Sequence, residues 1–187
     1  MVTEAVILAG GYSSRMGQNK MLLKLGEKSI IEHCIESFYE ACSSIIIVGG
    51  YRLGELKEVL NEYNKLKVVF NNHYRDGMFS SVKEGIAHIK GDRFFLTPGD
   101  YPIIRKSTVG KMLEIDKPIV IPKYHGRRGH PVLMKSGIIP EIFNCRYQSL
   151  NEFINTRQAS FIEVDDIGVI TDVDTMQDYY KVKNIRR

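Results

Sequence analysis

Two cations, Arg15 and Lys20, stand in a run that holds glycine at 10, 11 and 17 and serine at 13 and 14. Glycines let a backbone approach a ligand closely and turn its N–H groups inward. An arginine adds a planar fork for phosphate oxygens, and a lysine adds a point charge. Leu8, Ala9, Gly10, Gly11, Ser13, Ser14, Arg15 and Lys20 together therefore have the chemistry of a polyphosphate cradle. Neither common cradle motif is present. Walker A needs Lys-Ser/Thr after its last glycine, but Gln18 and Asn19 follow Gly17, and no Gly-x-Gly-x-x-Gly occurs.

Asp100 stands between Pro98 and Pro102, just past the apolar run Phe94-Phe95-Leu96. A carboxylate fixed there suits Mg²⁺, which favours one or two carboxylates plus phosphate oxygens. The alternative is a turn or capping aspartate for the helix after residue 105. Gly77-Met78-Phe79-Ser80-Ser81 could receive an anion or a base edge, or Ser80 or Ser81 could merely cap a helix. Arg127, Arg128, Gly129 and His130 could grip a second phosphorylated substrate, or form a solvated turn with a structural histidine. Asp174 reads as a helix cap and Asp172 as a candidate second metal carboxylate. His33, His73, His88 and His125 have no evident partner. There is no Ser-His-Asp order and no Gly-x-Ser-x-Gly elbow to supply a protein nucleophile.

These residues need elements to place them. Apolar stretches at 5–9, 44–48, 66–70, 93–96 and 118–122 read as strands, and helical spacing recurs between them. Ser29 and Glu32 form a capping box for a helix to about residue 41. Helices are also expected at 53–63, from the 77–81 loop to 89, at 107–115, 138–143 and 150–157, and at 175–182 with Asp174 as cap. Residues 22–26, 160–164 and 169–170 read as extended. A hairpin tip at 124–129 returns as a strand at 130–134. Buried β-branched strands alternating with helices give an α/β fold, a single-domain, three-layer αβα (Rossmann-like), mainly parallel sheet with a small β-hairpin insertion. In such sheets ligands sit beyond the carboxyl ends of the strands, where the loops 10–20, 71–81 and 97–102 all fall.

With 187 residues, 43% hydrophobic and 26% charged, the chain has ordinary globular composition and reads as one domain. A net charge of +4 without a basic–aromatic stripe argues against a nucleic-acid partner. The tail at 181–187 reads as a solvated helix end. Cys34, Cys42 and Cys145 lack Cys-x-x-Cys spacing and read as reduced thiols. No membrane-length apolar run or leader pattern is seen, so no membrane partner and a cytoplasmic location are expected.

Leu8-Ala9-Gly10-Gly11-x-Ser13-x-Arg15-Met16-Gly17-x-x-Lys20 resembles the signature of the MobA-like nucleotidyltransferases. Gly77-Met78-x-x-Ser81-Val82, Pro98-Gly99-Asp100-x-Pro102, Gly129-His130-Pro131-Val132-Leu133 and Asp172-Val173-Asp174-Thr175-x-x-Asp178-Tyr179 resemble the molybdenum cofactor cytidylyltransferase (MocA-like) branch. The resemblance implies Mg²⁺-dependent transfer of CMP from CTP to molybdopterin cofactor with release of pyrophosphate. It implies that Leu8, Ala9, Gly10, Gly11, Ser13, Ser14 and Ser81 hold the nucleotide. Arg15, Lys20 and Asp100 would be catalytic, with Asp100 on Mg²⁺, and the 126–131 segment would face the acceptor. A molybdoenzyme partner is a further expectation. Gly10 departs from the Leu-Ala-Ala-Gly of many cytidylyl-transferring members, and Met176 replaces a usual proline. Guanylyl or sugar-phosphate transfer on the same fold, or a non-catalytic cofactor carrier, are the alternatives.

Overall fold

The computed structural model describes residues 1–10 and 19–185. The expected contributions of Gly11, Ser13, Ser14 and Arg15 lie outside the described residues. Strand β1 (Thr3–Leu8) is buried along its length and leads to a small hairpin, β2 (Lys24–Leu25) with β3 (Lys28–Ser29). Helix α1 (Ile30–Phe38) follows, its start locked by Glu32, which accepts from the Ser29 N–H at 2.7 Å. Then come β4 (Ser44–Gly49), α2 (Leu53–Leu60), β5 (Leu66–Phe70), α3 (Met78–Ile86), β6 (Arg93–Pro98) and α4 (Lys106–Leu113). The second half holds β7 (Ile119–Tyr124), β8 (Arg127–Arg128), β9 (Val132–Lys135), α5 (Ile139–Asn144), α6 (Leu150–Asn155), β10 (Ser160–Glu163) and α7 (Met176–Ile185).

Among the described residues one sheet runs in the order β10-β7-β9-β6-β1-β4-β5, with β8 paired to β7. β6, β1, β4 and β5 are mutually parallel, and β10 is parallel to β7. The mainly parallel α/β reading holds. β9 is antiparallel to both β6 and β7 and lies between them, so the returning arm of the insertion is an interior strand.

β1 shows why helices must cover both faces. Ala5 and Ile7 pack into one core with α1, α2, α4 and Val182 of α7, whereas Val6 and Leu8 pack into a second with α3, α5 and α6. Alternate side chains of a strand point to opposite faces, and both sets here are apolar. Gly85 permits the close seat of α3, since a Cβ there would lie 2.4 Å from Val6 Cγ1.

Three local expectations are corrected. Residues 167–170 form a 3₁₀ turn (Ile167–Ile170) rather than a strand, because Asp166 accepts from the Gly168 N–H at 2.9 Å and turns the chain. Asp174 does not cap α7. Thr175 and Asp178 do that, the Asp178 N–H donating to Thr175 Oγ1 at 3.2 Å and the Thr175 N–H to Asp178 Oδ2 at 3.0 Å. Neither Ser80 nor Ser81 caps α3, since both lie inside it behind Gly77, whose φ of 92° suits glycine.

Candidate functional site

Lys20 opens a short 3₁₀ turn (Lys20–Leu22) whose start is fixed by Asn19, the side chain of which accepts from the Met21 N–H at 3.3 Å. That turn folds Lys20 inward until it is 8% exposed, unusual for a lysine without partners. Among the described residues it meets two carboxylates. Nζ donates to Asp100 Oδ2 at 2.6 Å and to Asp174 Oδ1 at 2.7 Å.

Each carboxylate is placed by its own backbone. Asp100 follows β6, where the Gly99 N–H bonds the Leu8 carbonyl at 2.9 Å and ties the two strand ends together. A side chain at 99 would strike Ile31 Cδ1 at 2.7 Å, so the turn before Asp100 lies flat on the core. Asp174 arrives from far along the chain, because the Val173 N–H donates to the Asp100 carbonyl at 3.0 Å. Asp166 anchors that return. It is 2% exposed and accepts from the Arg105 N–H at 2.8 Å and Thr108 Oγ1 at 2.7 Å. The start of α4 is thus served by Asp166, not by Asp100.

Electrostatics sharpen the geometry. Burial pulls the Lys20 ammonium down, but Asp100 and Asp174 outweigh it and hold its pKa above the ordinary value. Burial pushes Asp100 up; Lys20 opposes this and the charge of Asp172 adds to it. Tyr101 is pushed up by burial and by Asp172, Asp100 and Asp174, with Arg127 opposing. Three carboxylates, Asp100, Asp172 and Asp174, share this neighbourhood. Asp100 Oδ1 is buried with no hydrogen-bond partner among the described residues. A hard cation fits that donor set, one buried carboxylate oxygen with other carboxylates nearby. Among the described residues no group of three or more His, Cys, Asp or Glu is placed to hold an ion.

A cavity of about 320 Å³ opens beside this triad. Leu8, Gly10, Lys20, Ser81, Pro98, Asp100 and Asp174 all line it. The three strand-end loops singled out from the sequence therefore converge on one space. Tyr74, Arg75 and Met78 also line it, and sequence reasoning did not assign them to the site. Their signal was their place in the 71–81 loop, Tyr74 and Arg75 before Gly77 and Met78 after it. Ala9 is buried beside the cavity, its N–H on the Val48 carbonyl at 2.7 Å.

The hairpin residues sit apart from that cavity. Arg128 donates to Asn155 Oδ1 at 3.0 Å and lies 4.7 Å over the Phe161 ring. Gly129 packs on backbone, since a Cβ there would be 2.1 Å from the Val169 carbonyl oxygen. His130 meets the Tyr101 ring edge-on at 4.9 Å, and burial lowers its pKa to about 4, so the ring is neutral. Arg127 acts on Tyr101 through its charge. The cysteines are free thiols, with Cys34 and Cys42 buried. No helix among the described residues is long and apolar enough to cross a membrane.

Comparison with known proteins agrees with this architecture. The sequence matches the MobA-like NTP transferase domain over residues 5–161. It is 30% identical to the molybdenum cofactor cytidylyltransferase of Escherichia coli, covering 96% of this chain and 95% of that protein. A probable molybdenum cofactor guanylyltransferase of Bacillus mycoides is 22% identical over 95% of this chain and 94% of its own length. Among solved structures, a nucleotidyl transferase from Methanothermobacter thermautotroptrophicus superposes with a TM-score of 0.86 at 21% identity, covering 98% of this chain and 97% of that chain.

Proposed function

This chain belongs to the MobA-like NTP transferase family, and we propose that it transfers CMP from CTP to the terminal phosphate of molybdopterin cofactor with release of pyrophosphate. The observation that supports this reading best is the Lys20–Asp100–Asp174 cluster at the rim of a nucleotide-sized cavity. The relative from Escherichia coli, named for the same reaction and aligned over 96% of the chain, supports the choice of acceptor and base.

In this reading an oxygen of the acceptor phosphate forms a bond to the α-phosphorus. The bond to the β-phosphate oxygen breaks, and its electron pair leaves with pyrophosphate. No protein nucleophile is needed, because the acceptor brings its own. The protein must bring two anions into line and neutralise the charge they share. Lys20, held charged by its two carboxylates, supplies a fixed ammonium at that point. Arg15, outside the described residues, is proposed as a second cation on the phosphates. Mg²⁺, when bound, would supply Lewis-acid neutralisation at the phosphates, held by Asp100 with Asp172 or Asp174 beside it. Gly10 and Ser81 would line the nucleoside side, and Arg127 at the hairpin tip would draw in the acceptor phosphate.

A second base has its own supporting observation. A methyl at position 10 would lie 3.6 Å from Ser81 Oγ and 3.5 Å from the Gly50 nitrogen, ordinary contact distances, so Gly10 leaves space that alanine would fill. That extra space suits the larger purine of GTP. Pyrophosphate release measured with each NTP and purified cofactor decides between them. Wild-type turnover with CTP well above that with GTP supports the cytidylyl reading, whereas a GTP preference that Gly10→Ala shifts toward CTP supports the guanylyl one. No pyrophosphate with any NTP sinks the transferase assignment.

A further inference from the structure

Asn71, the residue after β5, is 1% exposed, and every polar atom of its amide is engaged. Its Oδ1 accepts from the His73 backbone N–H at 2.9 Å. A backbone N–H can only donate, so this contact fixes which end of the amide is oxygen. Nδ2 must then face the serines, and it lies 2.9 Å from Ser80 Oγ and 2.9 Å from Ser81 Oγ. One amide thus supplies a hydrogen to each of two neighbouring hydroxyls.

The two serines use what remains differently. Ser80 Oγ donates within its own turn, 2.7 Å from the His73 carbonyl and 2.8 Å from that of Gly77. Ser81 Oγ accepts from Asn71 and donates to no group among the described residues, although Ser81 is 6% exposed and lines the cavity. A buried hydroxyl that has already accepted keeps one donor to satisfy. The cavity is the space that remains for it.

We propose that Asn71 is a positioning residue, which fixes Ser81 as a hydrogen-bond donor to an acceptor atom on the nucleoside part of the bound nucleotide. The nucleoside part follows from placement. A Cβ on Gly10 would meet both Ser81 Oγ and the Gly50 nitrogen, so Ser81 lies by the ends of β1 and β4, whereas Lys20 and Asp100 gather at the β6 side of β1. This inference rests on the reading of the cavity as a nucleotide site, and it adds the polarity of one of its walls.

Asn71→Asp reverses that polarity. A carboxylate only accepts, so the Ser81 O–H turns toward it and the cavity meets a lone pair instead. The test is a double-mutant cycle of Asn71→Asp and Ser81→Ala, read as the CTP and GTP Kd by calorimetry and as KM and kcat. Each single variant should weaken the preferred nucleotide about 10-fold, a loss falling on KM rather than kcat. The double variant should be no weaker than Ser81→Ala alone, because Asn71 acts only through Ser81. Inorganic tripolyphosphate should bind all variants equally. Additive losses, a loss confined to kcat, or equal weakening of tripolyphosphate would overturn the inference. Thermal unfolding without nucleotide checks the fold, and Asn71→Ser replaces Asn71→Asp in the cycle should the carboxylate not be tolerated. A wild type that binds nucleotide and shows this coupling, yet releases no pyrophosphate, would sink the transferase reading alone. A wild type that binds neither nucleotide overturns both.

Discussion

Lys20 Nζ and Asp100 Oδ2 lie 2.6 Å apart across a separation of eighty positions, with side chains only 10% and 12% exposed. Such a pair contributes less to stability than its distance suggests, because both charges have left water. Its consequence is orientation. Lys20 occupies Oδ2 of Asp100, and the buried Oδ1 has no hydrogen-bond partner among the described residues. The ammonium is held charged, and the carboxylate keeps one oxygen to offer.

Lys20→Met should strand Asp100 near Asp174 and Asp172, costing about 2–3 kcal/mol of stability in urea unfolding. Adding Asp100→Leu should restore most of that loss, since a well-packed apolar pair replaces a buried ion pair at little cost. Both variants should lose at least about 100-fold in pyrophosphate release. Recovery of activity along with stability would show that the pair is structural alone.

Chelation offers an independent check on Asp100 Oδ1. EDTA should abolish turnover, and Mg²⁺ or Mn²⁺ should restore it. Asp100→Asn keeps the shape but weakens the oxygen donor, and it should raise the half-saturating Mg²⁺ concentration about 10-fold or more. An unchanged metal requirement in that variant removes Asp100 from the metal site.

His130 predicts a pH dependence. Burial holds its pKa at about 4, opposed by a backbone contact with Leu96, whereas an unfolded histidine titrates near 6.5. Between these values the unfolded chain binds a proton that the native ring refuses, so stability rises with pH. The contribution is complete above pH 6.5 and falls away as the pH drops to 4, by about 2–3 kcal/mol. Urea midpoints for wild type and His130→Gln from pH 8 to 4 should converge toward the acid end. Parallel curves would show that His130 titrates normally.

Two glycines in helices should respond with opposite signs. In Gly85→Ala the new methyl would meet Val6 Cγ1 at 2.4 Å and Val48 Cγ2 at 2.8 Å, stiff β-branched neighbours that cannot turn aside. A loss of about 1–3 kcal/mol follows. Gly110 in α4 has nothing within 4 Å of its would-be Cβ, so Gly110→Ala should gain about 0.5–1 kcal/mol from helix propensity. Thermal unfolding of both variants checks the pair, and a destabilised Gly110→Ala would contradict the packing of α4.

The sequence by itself determined the local elements and the loops that meet at strand ends. Apolar runs such as Ile45-Ile46-Ile47-Val48 have no solvent face, so they had to be buried strands in a covered sheet. Ser29 and Glu32 marked the start of α1 because a capping box is built within four residues. Gly10, Lys20, Ser81 and Asp100 were legible as candidates because phosphate and metal chemistry restricts residue types, and they line one cavity. What joins residues far apart in the chain was decided only in three dimensions. The 130–134 segment was seen as an extra strand, but its slot between β6 and β7 follows from which edges were left open. Asp174 looked like a cap because a local hydrogen bond is the cheapest role for an aspartate before a helix. The Val173 hydrogen bond to Asp100 places it on Lys20 instead, 154 positions away. Asn71 fell in the 71–81 loop without a role of its own, because the orientation of an amide depends on partners that only the folded chain supplies. Local physics wrote the elements into the sequence, and long-range hydrogen bonds settled which polar atoms face the cavity.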